Sequence, residues 1–166
     1  MENSSFPFAE AERMFESLPA KTFEQEFLAA FVDDAGLVFR GVRGISTLQP
    51  GMPEAGHSYI MGVDWARSYD WTVLSVIDAT AGCQVALDRF NQIDYAFQLR
   101  RLEAMAARWH CHSIIAEANS MGTPLIETLQ RKGLPVTAFT TTQQSKAQII
   151  EGLALAIERA LVTLLA

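Results

Sequence analysis

Apolar and polar positions change rhythm along this chain. From Tyr59 onward, short apolar runs alternate with stretches of helical spacing; before Tyr59 the pattern is weaker. Tyr59–Trp65 predicts a first strand, Thr72–Asp78 a second, and Cys83–Asn91 a third that alternates less cleanly. Ala79-Thr80-Ala81-Gly82 supplies the turn between the last two. Leu102, Met105, Ala106 and Trp109 share one helical face, which predicts a helix from about Tyr95 to His110 with Asp94 as its N-cap. Ser113–Glu117 predicts the fourth strand. A second helix is expected from near Gly122 to a glycine stop at Lys132-Gly133, and a fifth strand over Pro135–Thr140. Ile149, Ile150, Leu153, Ala154 and Ile157 predict a third helix beginning near Gln144, and Leu161–Leu165 a last short strand.

Upstream, Phe23, Phe27 and Phe31 recur every four residues and predict a short amphipathic helix over Thr22–Val32, ended by Asp33-Asp34-Ala35-Gly36. Residues 1–20 read as a polar, mobile segment, and the Gly- and Pro-rich stretch Gly41–Ser58 as a linker. The expected division is therefore an arm and linker over 1–58 and a compact domain over 59–166. Three meandering strands followed by alternating helices and strands, β-β-β-α-β-α-β-α, indicate an α/β fold with a mixed sheet and flanking helices.

Composition supports a packed core: 49% of the 166 residues are hydrophobic and 19% charged. No apolar stretch is long enough for a membrane span and no signal segment opens the chain, so a cytoplasmic protein without a membrane partner is expected. Cys83 and Cys111 stand apart from any CxxC pair, and His57, His110 and His112 lack metal-ligand spacing. The net charge of -6 argues against nucleic-acid binding, but its distribution softens that. Residues 1–58 hold nine acids and four bases, while residues 59–166 hold ten acids and nine bases, seven of them arginine.

The candidate chemistry lies at two strand ends. Asp64 closes the first predicted strand and Glu117 the fourth, and two acids on rigid central strands suggest a site for Mg²⁺ or Mn²⁺. The competing readings are a turn acid capping backbone N–H groups for Asp64 and a surface acid at a sheet edge for Glu117. Asp70, at the entry to the second strand, is a further candidate ligand or a turn residue fixing Thr72. Asn119 and Gly122 open a helix whose N-terminus suits a DNA phosphate, which makes Asn119 a DNA-binding candidate that could also steady Glu117; the competing reading is plain N-capping by Asn119 or Ser120. Lys146 sits at the start of the third helix, where a cation opposes the helix dipole, which makes it a phosphate-binding candidate; the competing reading is a solvated lysine. Arg67, in the loop after Asp64, is a candidate for DNA-backbone contact. Arg100, Arg101 and Arg108 read as a solvated face, and Trp65, Trp71 and Trp109 as core.

Taken in order, Gly62-Val63-Asp64-Trp65-Ala66, Asp70-Trp71-Thr72, Ala116-Glu117-Ala118-Asn119-Ser120-Met121-Gly122, and Thr140-Thr141-Thr142 with Lys146 resemble the nuclease domain of tailed-phage terminase large subunits. The stretch from Leu18-Pro19 to Val38-Phe39 resembles the segment joining that family's ATPase motor to its nuclease. The resemblance implies a ribonuclease-H-like fold. It also implies a two-metal endonuclease in which Asp64 and Glu117 hold Mg²⁺ or Mn²⁺, acting on concatemeric viral double-stranded DNA in the bacterial host cytoplasm. Portal and a small terminase subunit are the implied partners. No GxxxxGK[ST] loop is present, and the family's third catalytic aspartate has no counterpart here, so the resemblance implies a portion of the subunit, incomplete at its C-terminus. Two other readings stay open: a catalytically incomplete DNA- or partner-binding module of the same fold, and an actin-like ATPase lobe. The actin-like lobe needs glycines where Arg67-Ser68-Tyr69 stands.

Overall fold

Alternation of side chains across a pleated strand decides the centre of this structure, a computed structural model that describes residues 8–19, 22, 38–66, 70–119 and 122–166. The chain groups into two compact units: residues 1–45 with 143–161, and residues 46–142 with 162–166.

The second unit is built on a five-stranded sheet. Its strands are β2 (Tyr59–Asp64), β3 (Thr72–Asp78), β4 (Cys83–Phe90), β5 (Ser113–Glu117) and β6 (Val136–Phe139), in the order β4-β3-β2-β5-β6. Pairing is antiparallel from β4 through β3 to β2 and parallel from β2 through β5 to β6. This is the mixed sheet expected from three meandering strands followed by crossovers. Thr72, Leu74, Val76 and Asp78 are buried along β3 while the residues between them are half-buried, the period-two pattern of a strand packed mainly on one face. Helices α3 (Tyr95–Trp109) and α4 (Gly122–Arg131) supply that packing. Leu102 and Trp109 of α3 and Leu129 of α4 join Met61, Leu74 and Ile114 in one buried cluster. Asp94 caps α3 as expected, accepting a hydrogen bond from the Phe97 N–H at 2.9 Å, and His110 ends the helix in the left-handed region.

Three features depart from the sequence reading. The stretch read as a linker contains α2 (Val42–Ile45) and β1 (Ser46–Leu48), and β1 pairs in parallel with β7 (Leu164–Leu165). A three-residue strand carries no periodicity, and its partner lies at the far end of the chain. The segment read as mobile contains α1 (Phe8–Ser17), in whose sequence Phe8, Ala11 and Phe15 recur at helical spacing. Trp71 is not a core residue: it is 40% exposed. The helix expected over Thr22–Val32 falls outside the described residues except for Thr22.

The first unit holds α1, α2 and α5 (Gln143–Glu158). Ile45, Ala154 and Ile157 are buried in it, and the Arg159 guanidinium donates to the Phe15 carbonyl oxygen at 2.8 Å.

Candidate metal centre

Parallel pairing of β2 with β5 creates the site. Met61 lies opposite Ile114, Gly62 opposite Ile115, and Val63 opposite Ala116. One step further, Asp64 and Glu117 stand at the same end of adjacent strands. Both share a face with Gly62 and Ile115, away from the face covered by α3 and α4. Glu117 is therefore on an internal strand, flanked by β2 and β6, rather than at a sheet edge. Asp64 itself is exposed.

The two carboxyls act on one another electrostatically. Although the residue is exposed, partial desolvation of its carboxyl raises Asp64 from its ordinary value, and the charge of Glu117, the hydrogen bond to it and the charge of Asp70 push the same way. Crowding of carboxylates of this kind is what a divalent ion relieves.

The surrounding hydrogen bonds hold both acids in place. Asn119 Nδ2 donates to Glu117 Oε1 at 3.0 Å and to the Thr141 carbonyl at 3.1 Å, so its amide steadies Glu117. On the Asp64 side, the Ala66 N–H donates to Thr72 Oγ1 at 2.9 Å, and that hydroxyl donates to Gln98 Oε1 at 2.9 Å. Gln98 is anchored in turn through Nε2 to the Ile93 carbonyl at 3.1 Å. Thr72 and Gln98 are buried, so this chain ties the exit of β2 to the first turn of α3. Sequence reading missed the pair; a polar residue facing a core position in each of two adjoining elements was the available signal. Asp70 Oδ1 accepts from the Trp71 N–H at 2.8 Å, a turn contact, while its charge is felt at Asp64.

Gly122 sets the approach of α4. A Cβ at this position would lie 1.9 Å from the Glu117 carbonyl oxygen and 3.3 Å from Trp65 Cδ1. Only glycine lets the helix start this close to the end of β5. Beside it, Trp65 Nε1 is buried and without a hydrogen-bond partner among the described residues.

Of the remaining candidates, Arg67 lies outside the described residues. Lys146 is exposed in the first turn of α5, in the first unit. Arg101 is not a free solvated cation: its Nε and Nη2 donate to the two carboxylate oxygens of Asp88 at 2.8 and 2.7 Å. His57, given no chemistry from sequence, pairs through Nδ1 with Asp78 Oδ2 at 2.6 Å, at the opposite end of β3 from the acids. Among the described residues no group of three or more His, Cys, Asp or Glu gathers as a metal site. Two carboxylates are nonetheless a sufficient protein contribution for Mg²⁺, which keeps several waters and takes one or two acids. The donor set fits the ion.

Comparison with known proteins adds to this geometry. A family model described as the terminase RNaseH-like domain matches residues 61–166. The terminase large subunit of Thermus virus P23-45 is 29% identical over 154 residues, covering 86% of this chain and 31% of that protein. The corresponding subunit of Thermus phage G20c matches to the same extent, 29% over 154 residues. The chain thus spans 31% of the length of these curated relatives. The crystal structure of the large terminase nuclease from phage G20c with bound magnesium superposes with a TM-score of 0.70 at 26% identity, over 77% of this chain and 73% of that one. The same nuclease with bound zinc gives 0.69 at 27% identity, over 77% and 80%. The large terminase of another thermophilic bacteriophage, at 15% identity, shares the fold with a TM-score of 0.73 over 98% of this chain and 42% of its own.

Proposed function

The chain belongs to the terminase RNaseH-like domain family, and on that premise we propose that it is a divalent-metal-dependent DNA endonuclease of a viral DNA-packaging large subunit. The observation that carries this reading is the Asp64–Glu117 pair, side by side at the ends of parallel neighbours, with the Asp64 carboxyl pushed up by partial burial and by the charges of Glu117 and Asp70. The structural relatives with bound magnesium and zinc support it.

Asp64 and Glu117 would hold Mg²⁺ or Mn²⁺, with Asp70 close enough to add its charge; when bound, the ion supplies Lewis-acid stabilisation of phosphate charge and an activated water. A second ion is expected in a complete two-metal site. The protein's own contribution is rigidity. Asn119 fixes the orientation of Glu117, the Thr72–Gln98 chain holds Ala66 two residues after Asp64, and Gly122 brings α4 against the end of β5. We assign the nuclease domain to residues 59–166 and the joining arm to 1–58. Concatemeric double-stranded DNA in the bacterial cytoplasm is the proposed substrate, with portal and small terminase subunit as partners. Lys146 and Arg67 remain proposed DNA contacts.

A second reading, a module of the same fold that binds DNA or a packaging partner without cutting, is favoured by one observation: no third acid joins the pair among the described residues. Plasmid nicking with Mn²⁺, Mg²⁺ or EDTA separates the two. The nuclease reading expects metal-dependent cutting by the wild-type chain that Asp64→Asn and Glu117→Gln each abolish. DNA binding without cutting under any metal would favour the module.

A further inference from the structure

The row of residues that crosses the sheet at the carboxylate end extends past β2. Asp64 lies opposite Val73 of β3, and Val73 lies opposite Arg89 of β4. Residues directly paired in an antiparallel ladder project from the same face. Arg89 therefore emerges on the face that carries Asp64 and Glu117. Its neighbours project the other way: Asp88 is engaged by Arg101 of α3, and Phe90 is buried.

Arg89 is exposed, and its guanidinium sits 4.1 Å from the ring centroid of Trp71. Trp71 immediately precedes β3 and is itself 40% exposed. Among the described residues Arg89 makes no ion pair or hydrogen bond, although Asp88 is next to it in sequence and acids outnumber bases in the whole chain, 19 to 13. A guanidinium held over an indole face spends none of its N–H donors on that contact and leaves them free for a second partner. A planar fork of this kind matches a phosphate in two-point contact. Stacking also removes much of the side chain's freedom in advance, so less is lost on binding. A solvated cation would need neither the exposed tryptophan nor the alignment with the acids.

We propose that Arg89, braced by Trp71, binds a backbone phosphate of the DNA strand presented to Asp64 and Glu117. This rests on the nuclease reading above and adds a strand-positioning contact to it. Two strand spacings separate Arg89 from Asp64 across the sheet, about 10 Å at the backbone.

The test measures DNA binding by the 166-residue chain carrying Asp64→Asn, which stops cutting, across a series of salt concentrations, using a fluorescein-labelled duplex and anisotropy. Adding Arg89→Ala is expected to weaken binding several-fold and to reduce the slope of log K against log salt by about 0.9, the loss of one phosphate contact. Arg89→Lys is expected to restore the slope while recovering only part of the affinity, because an ammonium lacks the fork. Trp71→Leu is expected to lower affinity with the slope kept. Unchanged affinity and slope in Arg89→Ala would overturn the proposal while leaving the nuclease reading standing. The nuclease reading fails separately, by absence of metal-dependent cutting in the wild-type chain. A parent that binds no DNA would overturn both.

Discussion

At Asp64 the fold works against ionisation, first by partial burial and then by the nearby charges of Glu117 and Asp70. A carboxyl whose folded value lies above its unfolded one binds more protons in the folded state. The fold therefore gains stability as pH falls between those values and carries the full cost above them. Asp64→Asn in EDTA at neutral pH should raise the melting temperature slightly, on the order of 1 °C because exposed charges are well screened. The gain should shrink as the pH is lowered. A lower melting temperature would mean that the carboxylate is satisfied in the folded protein without metal. At the other end of β3 the logic reverses. Burial works to raise the Asp78 carboxyl, but hydrogen bonds with His57 and from the Ala81 and Thr80 N–H groups outweigh it and hold it below its ordinary value. The hydrogen bond to Asp78 raises His57 in turn. Asp78 contributes fully above its unfolded value of 3.8, and that contribution is lost as pH falls through the lower folded value. His57 contributes fully below its unfolded value of 6.5, and that is lost as pH rises through the raised folded value. Asp78→Ala should therefore cost about 1–3 kcal/mol, read by urea unfolding. The deficit should be widest between pH 3.8 and 6.5 and leave DNA cutting intact.

At the scale of elements, the site depends on how closely α4 starts behind β5. Gly122→Ala puts a methyl 1.9 Å from the Glu117 carbonyl oxygen, so the helix must shift and take Glu117 with it. We expect a loss of about 1–3 kcal/mol, the cost of overpacking, together with at least a tenfold loss of metal-dependent cutting. Wild-type activity in this variant would show that Glu117 tolerates movement of the helix. Much of this level was legible in the sequence. Thr72–Asp78 and Ser113–Glu117 match their strands end for end, because short apolar runs between turn residues mark sheet interiors, and Asp94 declared the start of α3. Asp64 and Glu117 were legible as strand-end acids. Their adjacency was not, since it depends on β5 entering the sheet beside β2 rather than beyond β4. The same reason hid β1 with β7, which joins segments whose pairing no local pattern records. The short helix α1 was missed although Phe8, Ala11 and Phe15 recur at helical spacing, because ten residues give that period only two full turns to show itself.

For the whole molecule, charge is unevenly spread. Residues 1–58 carry nine acids and four bases, leaving the rest of the chain nearly balanced, ten to nine. The sheet that carries Asp64 and Glu117 therefore does not oppose DNA as strongly as the total of -6 suggests. An ion that binds only the folded state stabilises it by mass action, about 2.7 kcal/mol at a hundred times its dissociation constant. For a chain of this size each kcal/mol is worth roughly 2–4 °C. Mn²⁺ at that excess should therefore raise the melting temperature by several degrees in the wild type and leave Asp64→Asn unmoved. Equal shifts in both proteins would place the binding elsewhere.

The most direct measurement is a Mn²⁺ titration followed by paramagnetic broadening of backbone amide resonances. The ion should erase signals at Asp64, Trp65, Glu117, Ala118 and Asn119 first, and Mg²⁺ in excess should restore them. Broadening centred on any other part of the chain, or spread evenly over it, would contradict a metal centre formed by Asp64 and Glu117.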